Sequence, residues 1–332
     1  MSNILTKAKK AALLQINPGF CRPKAARIII TINCNFRCQM CTFWKDKHQD
    51  PSLDTIKKWV DELVDFGVEE IDIGGGEPFV RNDLKEIVSY IKSKGMRCGL
   101  TTNGSLVTEE NLPDIDFGEV SIDGAKPETH DKIRNMPGSW ERAFKAADLI
   151  KKYCPVHLNF TLQADNYLEL GDFFELVKSR GYKASIIPVS LKLAAQPKLQ
   201  GDLTDYNIPI LKQQLKKALA TGAVLNNKVF LDIFMKKLEK GPYKHPCYSP
   251  SNCILIFVNG DIYPCGNLDE TVGNLSEGKI KDIYGKYVEF RKRLWKGDHP
   301  FCNQCVYPDI STPATIRASV VPYFKKQILR KD

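Results

Sequence analysis

The sequence contains no apolar run that approaches the roughly 20 residues a membrane-spanning helix needs. Its N-terminus also lacks the ordered basic, apolar and small-residue regions of a secretory signal. No internal repeat and no low-complexity segment occur, which excludes a repeat architecture. We therefore expect a globular, cytoplasmic protein, whose 332 residues suffice for a large α/β domain and a smaller one.

Histidine is scarce, and none of the five histidines lies at ligand spacing from another, so no histidine-based metal site is predicted. His157 lies in an apolar run and is interpreted as a core residue. Acidic residues are outnumbered, and the formal net charge is +9. Because the basic residues are spread along the chain, we interpret this excess as a solvated surface and expect no nucleic-acid partner. Residues 1–20 hold a short basic, amphipathic stretch, interpreted as a packing helix with peripheral membrane contact as the alternative.

Cysteine, by contrast, is abundant. The chain has 11 cysteines, and disulfides are disfavoured in the cytosol, so clustered cysteines indicate a metal centre. Three lie in residues 34–41 and five in residues 247–305. The remaining three, Cys21, Cys98 and Cys154, are interpreted as core or incidental residues.

Six short β-rich runs alternate with helical patterns. The runs are residues 27–33, 70–74, 97–102, 119–122, 156–162 and 185–189. Helices are predicted over residues 52–66, 82–94, 139–152 and 167–180, and two lysine-rich helices over residues 204–240. This alternation predicts a parallel sheet with right-handed crossovers. Both a doubly wound sheet and a partial (β/α) barrel satisfy the pattern.

Cys34, Cys38 and Cys41 follow the first predicted strand, at the end that carries the active site in barrel-like α/β folds. Iron–sulfur clusters normally take four cysteines, so a set of three leaves one iron open. An open coordination position is typical of a catalytic rather than a structural metal. Zinc with a distant fourth ligand is the alternative.

The spacing Cys-x3-Cys-x2-Cys after a first strand resembles the motif of the radical S-adenosylmethionine (SAM) superfamily. The resemblance implies a partial (β/α)6 TIM-like barrel in which the three cysteines hold a 4Fe–4S cluster whose open iron binds SAM. It implies that reductive cleavage of SAM gives a 5′-deoxyadenosyl radical, which abstracts a substrate hydrogen. An external one-electron donor, such as flavodoxin or ferredoxin, is then expected.

Three further segments at predicted strand ends are similar to motifs of this family. They are residues 74–78 (GGGEP), 101–104 (TTNG) and 121–124 (SIDG). Each alone is as typical of a turn as of a binding site. The cofactor-binding residues that the resemblance implies are Phe36, Met40, Gly75, Gly76, Glu77, Thr102, Asn103, Ser121, Asp123 and Arg134. The cysteine triplet, Asp123 and Arg134 are the candidate catalytic residues.

The second cysteine group offers five thiols for a site that needs four. Residues 253–265 are predicted to form a hairpin with Asn259-Gly260 as a two-residue type I′ turn. In that register Ile254 pairs with Cys265, so Cys253 and Cys265 point to opposite faces. The predicted ligands are therefore Cys247, Cys265, Cys302 and Cys305, with Cys253 as an alternative. Structural zinc would suit four cysteines equally well.

Residues 262–265 (IYPC) and 272–275 (VGNL) resemble segments of the SPASM/twitch extension found in radical SAM enzymes. The cysteine count is that of the shorter twitch form, which implies one auxiliary 4Fe–4S cluster acting as an electron carrier. The expected organisation is an N-terminal extension (1–26), a radical SAM partial barrel (27–196), a helical linker (197–245) and a small cysteine-rich α+β domain (246–332).

An auxiliary cluster indicates a reaction in which an electron leaves the substrate radical. The first hypothesis is therefore an oxidoreductase that dehydrogenates a small, polar, carbohydrate-like molecule. The second is maturation of a peptide or protein, although Gly266 stands where sulfatase-maturing relatives carry an acidic base. The third is a zinc-stabilised binding module without redox chemistry.

Overall fold

The computed structural model describes residues 22–189, 206–226, 228–241, 253–266, 268 and 270–296. Several predictions fall outside these ranges, namely those for residues 1–20 and for Cys21, Cys247, Cys302 and Cys305. The proposed domain boundaries near residues 196 and 245 also fall outside them. These statements remain predictions.

The described chain is organised by one sheet, with the strand order β6-β5-β4-β3-β2-β1-β7-β8-β9. The strands are β1 (Ala25–Thr31), β2 (Glu70–Gly75), β3 (Arg97–Thr102), β4 (Phe117–Ser121), β5 (Val156–Leu162), β6 (Ala184–Pro188), β7 (Cys253–Ile256), β8 (Asp261–Tyr263) and β9 (Gly273–Asn274). All pairs from β6 to β7 are parallel, and the last two are antiparallel. Each of the first six strands lies beside its predecessor, whereas a doubly wound sheet reverses its strand order. The order therefore favours the partial (β/α)6 barrel.

Helices cover the outer face of this sheet. Within the described ranges they are α1 (Leu53–Phe66), α2 (Leu84–Ser93), α3 (Pro127–Arg134), α4 (Ser139–Ile150), α5 (Leu170–Ser179), α6 (Ile208–Ala220), α7 (Lys228–Lys240) and α8 (Ile280–Lys296). In α1, the Ser52 hydroxyl accepts the Thr55 N–H at 3.2 Å, and Gly67 ends the helix in the left-handed region. Its buried residues include Ile56, Trp59 and Leu63, whose helical spacing forms one apolar stripe.

Strand alternation sets which side chains face the barrel interior. In β1, Ala26, Ile28 and Ile30 are fully buried in the core beneath the helices. Arg27 and Ile29, on the other face, line an interior cavity. The side chains on one face of β1 therefore pack in the core, and those on the other face line the cavity.

The predicted bounds of the first six strands agree with the structure to within two residues. Helix α3 is absent from the sequence prediction. Among its residues only His130, Ile133 and Arg134 are buried, so the segment shows no apolar periodicity. Proline at its start is nevertheless a usual helix-initiation signal.

The predicted type I′ turn and its register are wrong. Leu255 pairs with Tyr263 and Ile256 with Ile262, one residue away from the predicted register. The Gly260 N–H donates to the Phe257 carbonyl at 2.8 Å, and residues 257–260 form a longer loop.

The side chain of Asn259 explains the different turn. Its Oδ1 accepts the Asp261 N–H at 3.2 Å, and its backbone does not adopt the positive φ that a type I′ turn requires. Only Gly260 does, with φ 87°. Continued outward, this register places Cys253 opposite Cys265 on the same face, so the argument that separated these two cysteines no longer holds.

Candidate active site

The three clustered cysteines lie directly after β1 and line one wall of a cavity of about 490 Å³. This volume is within the range of small-molecule and cofactor sites. The Cys41 N–H donates to the Cys38 carbonyl at 3.2 Å, which tightens the loop. The Gln39 N–H donates to the Ile133 carbonyl at 3.1 Å and ties the loop to α3. The unpredicted helix α3 therefore positions the cysteines.

The three thiols lie in an apolar cluster and also contact several polar groups. Burial raises the pKa of each thiol, to about 11 for Cys34. Opposing this, the Phe36 N–H donates to Cys34 Sγ at 3.3 Å, and the Arg134 charge lowers the pKa of Cys38. Soft sulfur ligands facing N–H donors and a cation are the donor set that suits an iron–sulfur cluster. The residues present therefore fit such a cluster.

Arg134, at the end of α3, connects the cysteine loop with the end of β4. Its Nε lies 2.6 Å from Asp123 Oδ2, and both side chains are almost completely buried. The other Asp123 oxygen accepts the Thr161 N–H at 2.7 Å. Arg134 lines the cavity and Asp123 does not. Asp123, predicted as a cofactor contact, therefore lies one step behind Arg134 and orients it.

Glu77 is fully buried and spans the ends of β2 and β3. It accepts the Thr102 hydroxyl and the Asn103 N–H, each at 2.7 Å. Burial raises its pKa to about 7, against the lowering effect of these hydrogen bonds. Glu77, one of the predicted cofactor-binding residues, does not line the cavity.

The glycines before Glu77 fit tightly against the cysteine segment. A Cβ on Gly75 would lie 2.2 Å from the Thr31 carbonyl oxygen, and one on Gly76 equally close to that of Asn33. The Gly76 N–H donates to Thr31 at 2.8 Å. Because these two glycines lack a Cβ, β2 can lie close against β1. Both glycines also line the cavity.

Most of the remaining predicted contacts meet at the same cavity. Its wall includes Met40, Gly75, Gly76, Thr102, Asn103, Ser121 and Arg134. Asn103 Nδ2 donates to Asn35 Oδ1 at 2.9 Å and lies 3.9 Å from Cys34 Sγ. Phe36 does not line the cavity; it is buried beneath the loop with Ile133 and Val189.

Several cavity residues were missed by sequence reasoning. Asp46 and His48, on the loop after the cysteines, lie at its mouth, where the carboxylate of Asp46 is hydrogen-bonded to Nδ1 of His48. The hairpin of the second domain supplies Leu255, Phe257, Tyr263 and Gly266 to the opposite wall. Phe257 contacts the rings of Phe43 and His48 at centroid distances of 5.8 and 5.9 Å. Arg27 also lines the cavity, and in the sequence it stands out as a charged residue at the start of an otherwise apolar strand.

The predicted auxiliary site is described only in part. Cys253 and Cys265 are half-buried, and the Tyr287 hydroxyl donates to the Cys253 carbonyl at 2.8 Å. The proximity of these two thiols contributes to a raised pKa of Tyr287, whose largest cause is burial. The predicted ligand set, with Cys253 as the alternative ligand, stays a prediction.

Comparison with known families identifies both parts of the chain. The radical SAM superfamily matches residues 28–177, and an iron–sulfur cluster-binding domain, SPASM, matches residues 247–306. An AdoMet-dependent heme synthase of Methanosarcina barkeri is 26% identical, covering 87% of this chain and 90% of its own length. A probable GTP 3′,8-cyclase of Methanothermobacter marburgensis is 28% identical, covering 84% and 98%.

Solved structures show the same fold. The enzyme anSMEcpe with bound AdoMet and a peptide superposes with a TM-score of 0.64 at 18% identity, covering 85% of this chain and 86% of its own. Streptococcus suis SuiB with its precursor peptide gives 0.63 at 18% identity, covering 86% and 71%.

The fold and the cysteine-lined cavity define an iron–sulfur enzyme built on a partial TIM-like barrel. The chain belongs to the radical SAM superfamily, in its SPASM/twitch subgroup. Its cofactors are SAM, the 4Fe–4S cluster that binds it and an auxiliary 4Fe–4S cluster. The hypothesis of a zinc-stabilised binding module is therefore wrong. Among the described helices, none combines the length and apolar character needed to cross a membrane.

Proposed function

We propose that this enzyme dehydrogenates a small, polar, carbohydrate-like molecule by radical hydrogen abstraction. The observation that carries the proposal is that one cavity contacts both the cysteine loop and the hairpin of the second domain. Bound SAM and its cluster would supply the radical, and the auxiliary cluster an acceptor for the second electron. A substrate held in this cavity would lie between the two.

The chain's own residues divide into two groups around this cavity. At the strand ends, Thr102, Asn103 and Ser121 present hydroxyl and amide groups, and Arg134 presents a fixed cation, for the polar parts of SAM. At the mouth, His48 is held by Asp46, and its imidazole is placed to accept the proton that leaves an oxidised alcohol. The ring of Phe257, which also lines the cavity, packs edge-on against the His48 ring.

Peptide maturation is the alternative reaction for the same cavity. Curated relatives include AlbA of Bacillus subtilis, a subtilosin biosynthesis protein, which is 29% identical over 50% of this chain and 39% of its own length. Gly266 lines the cavity wall and offers no side chain that could act as a base there. This observation favours the small-molecule reaction.

The test uses protein reconstituted anaerobically with iron and sulfide. Two 4Fe–4S clusters correspond to about eight irons per chain. With SAM and dithionite, deuterated sugars and cyclitols are expected to transfer deuterium to 5′-deoxyadenosine and to yield a ketone. Transfer from deuterated peptides alone would overturn the proposal in favour of maturation.

A matched control separates the two clusters. Replacing Cys34, Cys38 and Cys41 together by Ala should abolish 5′-deoxyadenosine formation while about half of the iron remains. Substituting flavodoxin or ferredoxin for dithionite tests the proposed physiological donor. SAM cleavage by the triple variant would contradict the site assignment.

A further inference from the structure

The outer surface of the cysteine loop carries an excess of positive charge. Residues 37–47 hold three cations and one acid. The cations are Arg37, Lys45 and Lys47, and all three are exposed. The acid, Asp46, lines the mouth of the cavity instead. We call the three cations the cationic face, which presents a net positive charge to the solvent.

Two of these cations are held in place by the loop itself. Arg37 Nη1 donates to the carbonyl oxygen of Cys34 at 2.6 Å and to that of Phe36 at 2.9 Å. The Arg37 guanidinium carbon lies 5.5 Å from the centre of the Trp44 ring, and Lys45 Nζ lies 5.0 Å from it. A cation over an indole ring is attracted to its electron-rich face. The two charges are therefore fixed close to the loop backbone.

The other charges around the loop do not balance this face. Among the described residues, neither Arg37 nor Lys47 forms an ion pair with an acid. By contrast, Lys132 of α3, whose carbonyl oxygen accepts Gln39 Nε2 at 3.1 Å, is paired with Asp165 at 2.9 Å. Charges of one sign that lack partners attract molecules of the opposite sign and raise the rate of encounter. The cationic face therefore favours a negatively charged partner.

The cationic face lies close to the residues that hold the cluster. Arg37 is bonded directly to the backbone of the first cluster cysteine. Burial raises the pKa of the Cys41 thiol, and the backbone N–H groups of Phe43 and Trp44 oppose this shift. Trp44 thus contacts a cluster ligand through its backbone and the surface cations through its ring. One residue separates the surface from the cluster ligand.

The inner side of the cysteine loop is closed to a protein partner. There the thiols line the cavity, and the hairpin supplies Leu255, Phe257 and Gly266 to the facing wall. Helix α3 is bonded to the loop at Gln39. Electron transfer slows steeply with distance, so a protein that reduces the cluster must approach the cysteines closely. In the described structure the outer surface of the loop offers that approach.

We infer that the cationic face is the docking site of the external one-electron donor, a small acidic flavin or iron–sulfur protein. The inference rests on the proposed function, because it names the partner that supplies the electron for SAM cleavage. In each productive encounter the reduced donor loses one electron and the enzyme gains it. The positive charges steer the acidic donor surface to the loop, and salt weakens this attraction.

The test compares two reductants on the full-length enzyme, reconstituted anaerobically and supplied with SAM. One is flavodoxin, kept reduced by NADPH and its reductase, and the other is excess dithionite, which needs no protein contact. In the double variant Lys45→Glu, Lys47→Glu we expect the flavodoxin concentration for half-maximal 5′-deoxyadenosine formation to rise about tenfold or more. The rate with dithionite should stay within about twofold of the wild type. Added salt should slow only the flavodoxin reaction of the wild type.

A binding measurement makes the test independent of turnover. Calorimetric titration with oxidised flavodoxin should show wild-type binding that weakens about tenfold or more in the double variant. Arg37 is left unchanged because it also supports the loop backbone. If the double variant does not take up iron, Lys47→Gln alone tests the same point and should weaken binding about threefold.

A matched control separates a docking site from an effect of net charge. Lys152 and Lys183 are exposed and precede β5 and β6, so they lie at the barrel end opposite the cysteine loop. The double variant Lys152→Glu, Lys183→Glu changes the net charge equally and should keep the flavodoxin dependence of the wild type. Equal losses in the two double variants would overturn the inference, as would wild-type behaviour of Lys45→Glu, Lys47→Glu.

The docking site and the proposed function fail separately. Deuterium transfer from a sugar or cyclitol with dithionite reports the reaction without any donor protein. Normal transfer with dithionite, but no binding of flavodoxin or ferredoxin, would reject the docking site alone. So would binding of the wild type, but not of the Lys45→Glu, Lys47→Glu variant, to phosphatidylserine vesicles in place of flavodoxin. Flavodoxin binding that depends on the two lysines, without deuterium transfer from any sugar or cyclitol, would reject the proposed function alone.

Discussion

At the residue scale, two buried titratable side chains, Glu77 and His130, hold the loops around the cysteine cluster. Neither lines the cavity in the described structure. Glu77 joins two strand ends, and His130 Nδ1 accepts the Asp123 N–H at 3.0 Å. Burial raises the pKa of Glu77 to about 7 and lowers that of His130 to about 4. Both shifts favour the neutral form of the side chain, because burial penalises the charged form.

His130 should make stability depend on pH. Its pKa falls from 6.5 to about 4 on folding, so the unfolded chain binds the proton first and stability is lost as pH drops from 6.5 towards 4. The full effect is about 3 kcal/mol. His130→Asn keeps an acceptor near the Nδ1 position and should flatten this part of the profile, measured by urea unfolding between pH 4.5 and 7.

Glu77 makes stability depend on pH in the opposite direction. Its raised pKa makes the folded chain bind a proton more tightly, so stability falls as pH rises from 4.5 to about 7. The wild-type profile is therefore the difference of two effects, and only the comparison with His130→Asn isolates the histidine. Parallel profiles for the wild type and the variant would contradict this role.

The ion pair behind Arg134 gives a second prediction. Asp123→Asn leaves a buried guanidinium without its counter-charge and should lower the free energy of unfolding by about 3 kcal/mol. The control, Asp165→Asn, breaks the exposed pair with Lys132 and should cost less than about 1 kcal/mol. Chemical denaturation of both proteins measures the difference, and equal losses would argue against the buried pair.

Single residues could be predicted where the local sequence carries a pattern that marks them. Cys34, Cys38 and Cys41 carry a spacing that few other sites share, and the structure places all three at one cavity. His130 acts through Asp123, a neighbour in the folded structure that no local pattern encodes. A polar residue in a buried strand can be noticed in the sequence, but its partners cannot.

At the element scale, the hairpin of β7 and β8 shows how a side chain overrides a turn preference. Asn-Gly favours a type I′ turn, yet Asn259 uses its amide to bind Asp261 and leaves only Gly260 with positive φ. The strands themselves were predictable from their alternation. Register was not, because it depends on a turn geometry that one hydrogen bond decides.

Gly260 should therefore be intolerant of substitution. It has φ 87°, and an added Cβ would lie 2.8 Å from Asn274 Oδ1. Gly260→Ala should destabilise the protein by about 1–2 kcal/mol. Gly285→Ala, in α8 with open space around it, is the matched control and should stabilise by about 0.5–1 kcal/mol. Thermal unfolding of both variants tests this, and similar shifts would be inconsistent with strain at residue 260.

At the scale of the whole molecule, the second domain continues the barrel sheet. β7 pairs in parallel with β1, with Ala25 opposite Cys253 and Ile28 opposite Ile256. The predicted domain boundary divides the sequence, but in the described structure the two parts share one sheet. This junction could not be predicted, because a parallel pairing between distant segments leaves no mark in either segment alone.

Truncation tests the importance of this junction. A chain that ends at Gly241 would leave the β1 edge unpaired and Trp59 without its neighbours from the hairpin. We expect this truncated chain to self-associate in size-exclusion chromatography and to be cleaved rapidly by protease. A monomeric, protease-resistant product would show that the barrel closes without β7.

The β1–β7 pairing also has a consequence for synthesis of the chain. The paired residues Ala25 and Cys253 are separated by more than two hundred positions, which gives the sheet a large non-local component. Contacts of high sequence separation form late and slow folding. During synthesis on the ribosome, the edge of β1 that pairs with β7 stays unpaired until most of the protein has emerged. The cavity wall made by the hairpin is therefore completed only near the end of translation, after the cysteine loop has long been exposed.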